Sequence, residues 1–214
     1  QVILVSSGAV SAGVAKVGFG HIPSAPEEKQ AMAAIGQSEL MKLYDRFFSD
    51  YGHTVAQILM TKDVLDNPVR RAAAENTFSR LLAMRCIPIV NENDTVSVEE
   101  IEFGDNDSLS AIVAKLVKAD LLVLFSDIDG LFDSDPRFNP DAHLISRVED
   151  IEKVSDNAGG AVSGVGTGGM VTKLEAARIA NSANISMIIA NGKNIDTLYD
   201  IIDGKKVGTL FKAY

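Results

Sequence analysis

Asp105, Asn106 and Asp107 stand together behind Gly104 and directly in front of an apolar pattern, Leu109, Ile112, Val113, Leu116 and Val117. That spacing is one buried stripe of a helix. A single Asp or Asn satisfies the free N–H groups at a helix start, which leaves two of the three polar groups for other chemistry. Polar loops recur after apolar runs at Ser6-Ser7-Gly8-Ala9, at Asn91-Glu92-Asn93-Asp94 and at Ser126-Asp127. Each alone reads as capping or turn formation, but all fall where α/β folds place ligands, beyond the carboxyl ends of strands. A fifth segment, GGAVSGVGTGGMVTK, has six glycines between Gly159 and Gly169 and then a helix containing Lys173. A backbone so free of Cβ atoms can wrap its N–H groups around phosphate at a helix start, with Lys173 adding a point charge one turn later.

Other chemistries fit less well. Gly164, Gly166 and Gly169 match G-x-G-x-x-G, but no strand immediately precedes them and no acid ends the next strand, so a dinucleotide fingerprint is weak. A Walker A loop needs Gly-Lys-Ser/Thr, and here Met170 follows Gly169. His21, His53 and His143 lack zinc-ligand spacing. No serine lies in a G-x-S-x-G elbow, and Asp127, Asp129, Asp133 and Asp135 do not fit an EF-hand.

The elements that must position these loops alternate along the chain. Strands are predicted at Val2–Ser6, Thr54–Met60, Ile87–Val90, Leu121–Ser126 and Ile185–Ala190, and helices at about 30–51, 67–84, 107–118 and 171–183. The clearest helix carries Ile35, Leu40, Leu43, Tyr44, Phe47 and Phe48 on one side, the apolar stripe of an amphipathic helix. Val96–Phe103 alternates apolar and polar residues and reads as a hairpin arm. Continuous apolar strands separated by helices imply an α/β fold, a mainly parallel sheet sandwiched between helices. With 214 residues, 46% of them hydrophobic, the chain can bury a large core. A net charge of −9 argues against nucleic-acid and anionic-membrane partners. The single cysteine, Cys86, excludes an internal disulfide and fits a reducing, cytoplasmic setting. The apolar runs are strand-sized, too short to span a membrane.

The segments VSSGAVSAG, AAIGQSELM, PIVNENDTV, FGDNDSLSA, LFSDIDGLF, GTGGMVTK and VGTLF together resemble the amino acid kinase family, in its order and over nearly the whole chain. Within that family the resemblance is to the branch that phosphorylates the side-chain carboxylate of L-glutamate, giving L-glutamyl 5-phosphate for proline biosynthesis. It implies ATP and Mg²⁺ as cofactors, a homo-oligomer, and feedback inhibition by proline. It also implies a substrate lobe over about 1–115 and a nucleotide lobe over about 116–214. Ser7, Gly8, Asn91, Asp94 and Asn106 match substrate-binding positions. Ser126 and Asp127 match a nucleotide-binding Thr-Asp pair, with Ser in place of Thr. Thr167, Gly168, Gly169, Met170, Val171, Thr172 and Lys173 match the ATP loop. Lys173 matches the lysine that steadies charge on the transferring phosphoryl group, and Asp107 the aspartate that orients the catalytic lysines.

The chemistry agrees with that assignment. Glutamate brings an ammonium and two carboxylates, which call for an acid and neutral donors. Its nucleophile is already ionised, so the reaction needs positioning and cations rather than a strong base. The family also implies a first strand with a Lys-x-Gly-Ser/Thr loop, upstream of Gln1, and in many members a small C-terminal RNA-modification-type (PUA) domain. A polypeptide of Gln1–Tyr214 alone is therefore expected to be poorly soluble and nearly inactive, and one extended upstream by about forty residues soluble and active. Two alternatives remain at this stage: the kinase domain of a bifunctional pyrroline-5-carboxylate synthase, in which a similar domain is fused to a dehydrogenase, and a non-catalytic fragment that binds ATP and an amino acid.

Overall fold

The computed structural model describes residues 1–61, 63–96, 106–154 and 169–213. Gly104, Asp105, Thr167, Gly168, most of the hairpin arm and the glycine-rich stretch before Gly169 lie outside the described residues. The chain divides into two compact units, Gln1–Leu109 and Ser110–Tyr214.

The first unit contains β1 (Leu4–Val5), α1 (Ala9–Val17), α2 (Pro26–Ser49), β2 (Val55–Met60), α3 (Asp63–Asp66), α4 (Pro68–Ala83), β3 (Ile87–Glu92) and the first turn of α5 (Asn106–Val117). Its sheet has the order β1-β3-β2, parallel throughout. β3 is central and its Ile89 and Val90 are buried completely. Pro88 explains why β1 is shorter than its apolar run. Ser6 N–H donates to Val90 O (2.8 Å), so Val90 turns its polar groups toward β1. The two-residue period of a strand turns position 88 the same way, and a proline has no N–H to offer. Pairing accordingly starts at Leu4↔Ile89.

Helix α2 packs with only part of its large apolar side. Its buried residues are Ala33, Gly36 and Gln37, whereas Leu43 and Phe47 are 48% and 60% exposed. The packed side is a stripe of Ala33, Gly36 and Gln37 continued by the half-buried Leu40, Tyr44 and Phe48, while Ile35, Leu43 and Phe47 of the large apolar set are exposed. Two glycines let the helix approach α1. A Cβ on Gly36 would lie 1.7 Å from Ala9 O, and one on Gly13 would lie 1.9 Å from Met32 O. α1 and α2 thus touch backbone to backbone, a contact closed to larger side chains.

The second unit carries the rest of α5, β4 (Leu121–Ser126), β5 (Arg147–Val148), α6 (Gly169–Ser182), β6 (Ser186–Asn191), α7 (Thr197–Ile202) and β7 (Thr209–Phe211). Its sheet has the order β4-β6-β7-β5; β4 and β6 are parallel, β7 runs antiparallel to β6, and β5 parallel to β7. Leu124, Leu174, Ala177, Met187, Ile189 and Phe211 lie in its core. The segment VGTLF has a structural task here. Gly208 has φ +64°, and a Cβ on it would meet Ile189 O at 2.0 Å. The buried Thr209 hydroxyl accepts from Leu131 N–H (2.8 Å) and donates to Ile145 O (2.7 Å), joining the chain after β4 to β7. Both β5 and β7 are too short for sequence periodicity to register. No helix among the described residues is long and apolar enough to cross a membrane.

Candidate functional site

In the first unit the polar loops lie where β1 and β3 end. β1 runs into Ser6, Ser7 and Gly8, and Gly8 opens α1 in the left-handed region at φ 95°. β3 ends in Asn91 and Glu92, and the turn through Asp94 is fixed by Asn93 N–H donating to Met60 O at 2.8 Å. Asn106 opens α5. Its Nδ2 donates to Ser6 O at 2.8 Å and to Asn91 Oδ1 at 3.2 Å. Asn91, 2% exposed, donates from Nδ2 to Gln37 Oε1 at 2.9 Å and accepts Glu92 N–H at 2.8 Å. The Tyr44 hydroxyl donates to Ser6 Oγ at 2.8 Å, and Ser6 Oγ donates to Ser7 O at 3.2 Å. These bonds join the ends of β1 and β3, the start of α5 and one side of α2.

Asp94 supplies the acid of this group. It is half-buried, and desolvation pushes its carboxyl above the ordinary aspartate value. A cation arriving there would recover the lost stabilisation of the charged form. Asp107, half-buried, follows Asn106 in the first turn of α5. Neutral amides and hydroxyls with one desolvated acid suit a small zwitterion.

In the second unit the strand ends again carry the polar groups. Ser126 Oγ donates to Asp127 Oδ1 at 3.1 Å after β4. Beside it, Asn191 ends β6; its Nδ2 donates to Asp129 Oδ1 at 2.7 Å, and Gly192 N–H donates to Ser126 O at 2.8 Å. Gly169, Met170, Val171, Thr172 and Lys173 form the first turn of α6. Thr172 Oγ1 donates back to Gly169 O at 3.2 Å. Lys173 is 8% exposed, an unusual burial for an ammonium group. A helix start followed by a buried lysine suits phosphate oxygens.

Sequence reasoning placed Ser6 in a candidate loop but gave no role to Gln37, Tyr44 or Asn191. No signal in the sequence set Gln37 apart from the other polar residues of α2. Tyr44 was assigned to an apolar side, and only its hydroxyl contact reveals its task.

A model of the amino acid kinase family matches residues 1–191. The chain is 55% identical over 214 residues to the glutamate 5-kinase of Clostridium tetani (strain Massachusetts / E88), covering all of this chain and 80% of that one. It is 52% identical over 218 residues to the glutamate 5-kinase of Listeria innocua serovar 6a, covering 100% and 79%. Among solved structures, it resembles an isopentenyl phosphate kinase of T. acidophilum with a TM-score of 0.64 at 18% identity, over 99% of this chain and 84% of that one. It resembles the UMP kinase of Bacillus anthracis with a TM-score of 0.62 at 15% identity, over 99% and 94%. At those identities the structural likeness speaks for the fold alone.

Proposed function

The chain belongs to the amino acid kinase family, and from that premise we propose how it works. It transfers the γ-phosphoryl group of ATP to the side-chain carboxylate of L-glutamate, giving L-glutamyl 5-phosphate and ADP, a step of proline biosynthesis. One observation carries this: identity of 55% to a protein named glutamate 5-kinase extends over all 214 residues of the chain.

In the reaction a carboxylate oxygen of glutamate attacks the γ-phosphorus, a new P–O bond forms, and the bond to the bridging oxygen of ADP breaks. No proton changes hands, so the protein's work is positioning and charge. Asp94 is the partner for the substrate ammonium, and Ser7, Gly8, Asn91 and Asn106 hold its other polar groups. Ser126 and Asp127 take the nucleotide, with the loop from Thr167 to Lys173 around its phosphates. Lys173 meets the negative charge on the transferring group, and Asp107 orients the catalytic cations. The second unit's helix start and buried lysine support these assignments.

Mg²⁺ would accompany ATP. Among the described residues no three metal-ligating side chains converge, so phosphate oxygens and water would hold most of it. Its charge would offset that of the phosphates. We also place the enzyme in the cytoplasm, in keeping with its lone free thiol, Cys86. Feedback by proline would use the same groups, because proline offers a carboxylate and an ammonium. A homo-oligomer would cover Leu43 and Phe47, exposed one turn apart on α2, and Tyr51 in the turn that follows it. The decisive assay incubates the full-length protein with ATP, Mg²⁺ and L-glutamate and traps the acyl phosphate with hydroxylamine. Preference for N-acetylglutamate, aspartate or UMP would refute the assignment.

A further inference from the structure

Gln37 and Tyr44 lie seven residues apart, two turns of α2, and so share one side of the helix. Each touches a different strand end. Gln37 Oε1 accepts from Asn91 Nδ2 at 2.9 Å; Tyr44 Oη donates to Ser6 Oγ at 2.8 Å. Between those points Asn106 Nδ2 bridges Asn91 Oδ1 (3.2 Å) and Ser6 O (2.8 Å). The contacts close into a circuit: α2, the end of β3, the start of α5, the end of β1, and α2 again. We propose that Gln37 and Tyr44 are positioning residues for the glutamate pocket. The inference rests on the substrate reading above.

The direction of each bond gives the circuit its meaning. Glu92 N–H can only donate and Ser6 O can only accept, so the oxygen of Asn91 and the nitrogen of Asn106 are each assigned from the backbone. Gln37 completes this by accepting from the amide end of Asn91. Both amide hydrogens of Asn106 are then used, one on Ser6 O and one on Asn91 Oδ1. Its Oδ1 is the atom left for a ligand, and it meets a donor such as an ammonium. A buried amide is less stable than packed hydrocarbon unless its partners are in place. Gln37, at 8% exposure, is held where an aliphatic residue would serve packing alone.

The test compares Gln37→Met, Gln37→Glu and Tyr44→Phe in the full-length enzyme. Met keeps the length and loses the acceptor; Glu keeps the acceptor. Gln37→Met is expected to raise KM for glutamate about tenfold, the effect of one unsatisfied buried amide, with KM for ATP and kcat within about twofold. Gln37→Glu should recover most of that loss. Tyr44→Phe should raise KM for glutamate by a smaller factor and leave KM for ATP in place. An unchanged KM for glutamate in Gln37→Met would overturn the proposal, as would equal rises for both substrates or a Gln37→Glu no better than Gln37→Met. A wild-type protein that makes no glutamyl hydroxamate would sink the substrate reading instead. The side-chain amide resonances of Asn91 and Asn106, assigned with Asn91→Asp and Asn106→Asp, then decide the positioning role. A shift of both in Gln37→Met supports it, and unmoved resonances overturn it.

Discussion

Asp94, the proposed partner of the substrate ammonium, works against the stability of its own fold. Burial raises its carboxyl pKa, so the folded state takes up the proton more readily than the unfolded chain does. Its contribution to stability is therefore present at low pH and lost as pH rises through the raised value. Asp94→Asn should increase the thermal midpoint of the ligand-free protein at neutral pH and flatten its dependence on pH on the acid side. Under the proposed pairing of Asp94 with the substrate ammonium, glutamate binding follows the opposite sense, because the ammonium needs the ionised form. In the wild type, KM for glutamate should begin to climb at a higher pH than an ordinary aspartate would give; Asp94→Asn should raise KM throughout and remove that limb. A pH series of steady-state rates and of melting curves checks both. Lys173 separates binding from chemistry. Lys173→Met keeps the aliphatic stem and removes the charge, and kcat should fall by about 10²–10³-fold with little change in KM for glutamate. Near-normal turnover would dissociate α6 from the phosphate site.

At the scale of elements, the α1–α2 contact links packing to the pocket. Gly36→Ala would set a Cβ at 1.7 Å from Ala9 O and 2.4 Å from Gly13 N, distances only a shift of the helices can relieve. Overpacking of this kind should destabilise by about 3 kcal/mol, read by denaturant unfolding, and KM for glutamate should rise because α2 carries Gln37 and Tyr44. Thr209→Val tests the other unit. It leaves Leu131 N–H and Ile145 O without their partner, and a loss of about 2–4 kcal/mol is expected with kinetic constants little changed. These contacts also show what a sequence conveys. β2, β3, β4 and β6 were legible because apolar runs mark buried parallel strands. The packed face of α2 was legible only in part: Leu40, Tyr44 and Phe48 lie on it, but a pattern of large residues passes over the close approach at Gly36. Of the polar loops, the sequence indicated which strand ends bear them. It could not reveal that Asn91 and Asn106 bond to one another, since that pairing depends on β1 and β3 being neighbours.

At the scale of the whole molecule, the positions proposed for glutamate lie in the first unit and those proposed for the nucleotide in the second, with Asp107 in one and Lys173 in the other. Ligand linkage makes that assignment measurable. L-Glutamate at a hundred times its Kd should raise the unfolding free energy by about 2.7 kcal/mol if unfolding is two-state. Asp94→Ala should abolish the protection and Lys173→Met should retain it. An ATP analogue should protect Asp94→Ala as fully as it protects the wild type.

Gly36 and Gln37 adjoin in sequence, yet natural selection would treat them differently. In a saturation library sorted only for soluble expression, position 36 should return glycine almost alone, while position 37 should accept Met and Leu freely. The same library grown in a host that lacks its own copy of this enzyme, on medium without proline, should empty position 37 as well. One residue is then constrained by folding and its neighbour by nutrition, a distinction no degree of sequence similarity between relatives would separate.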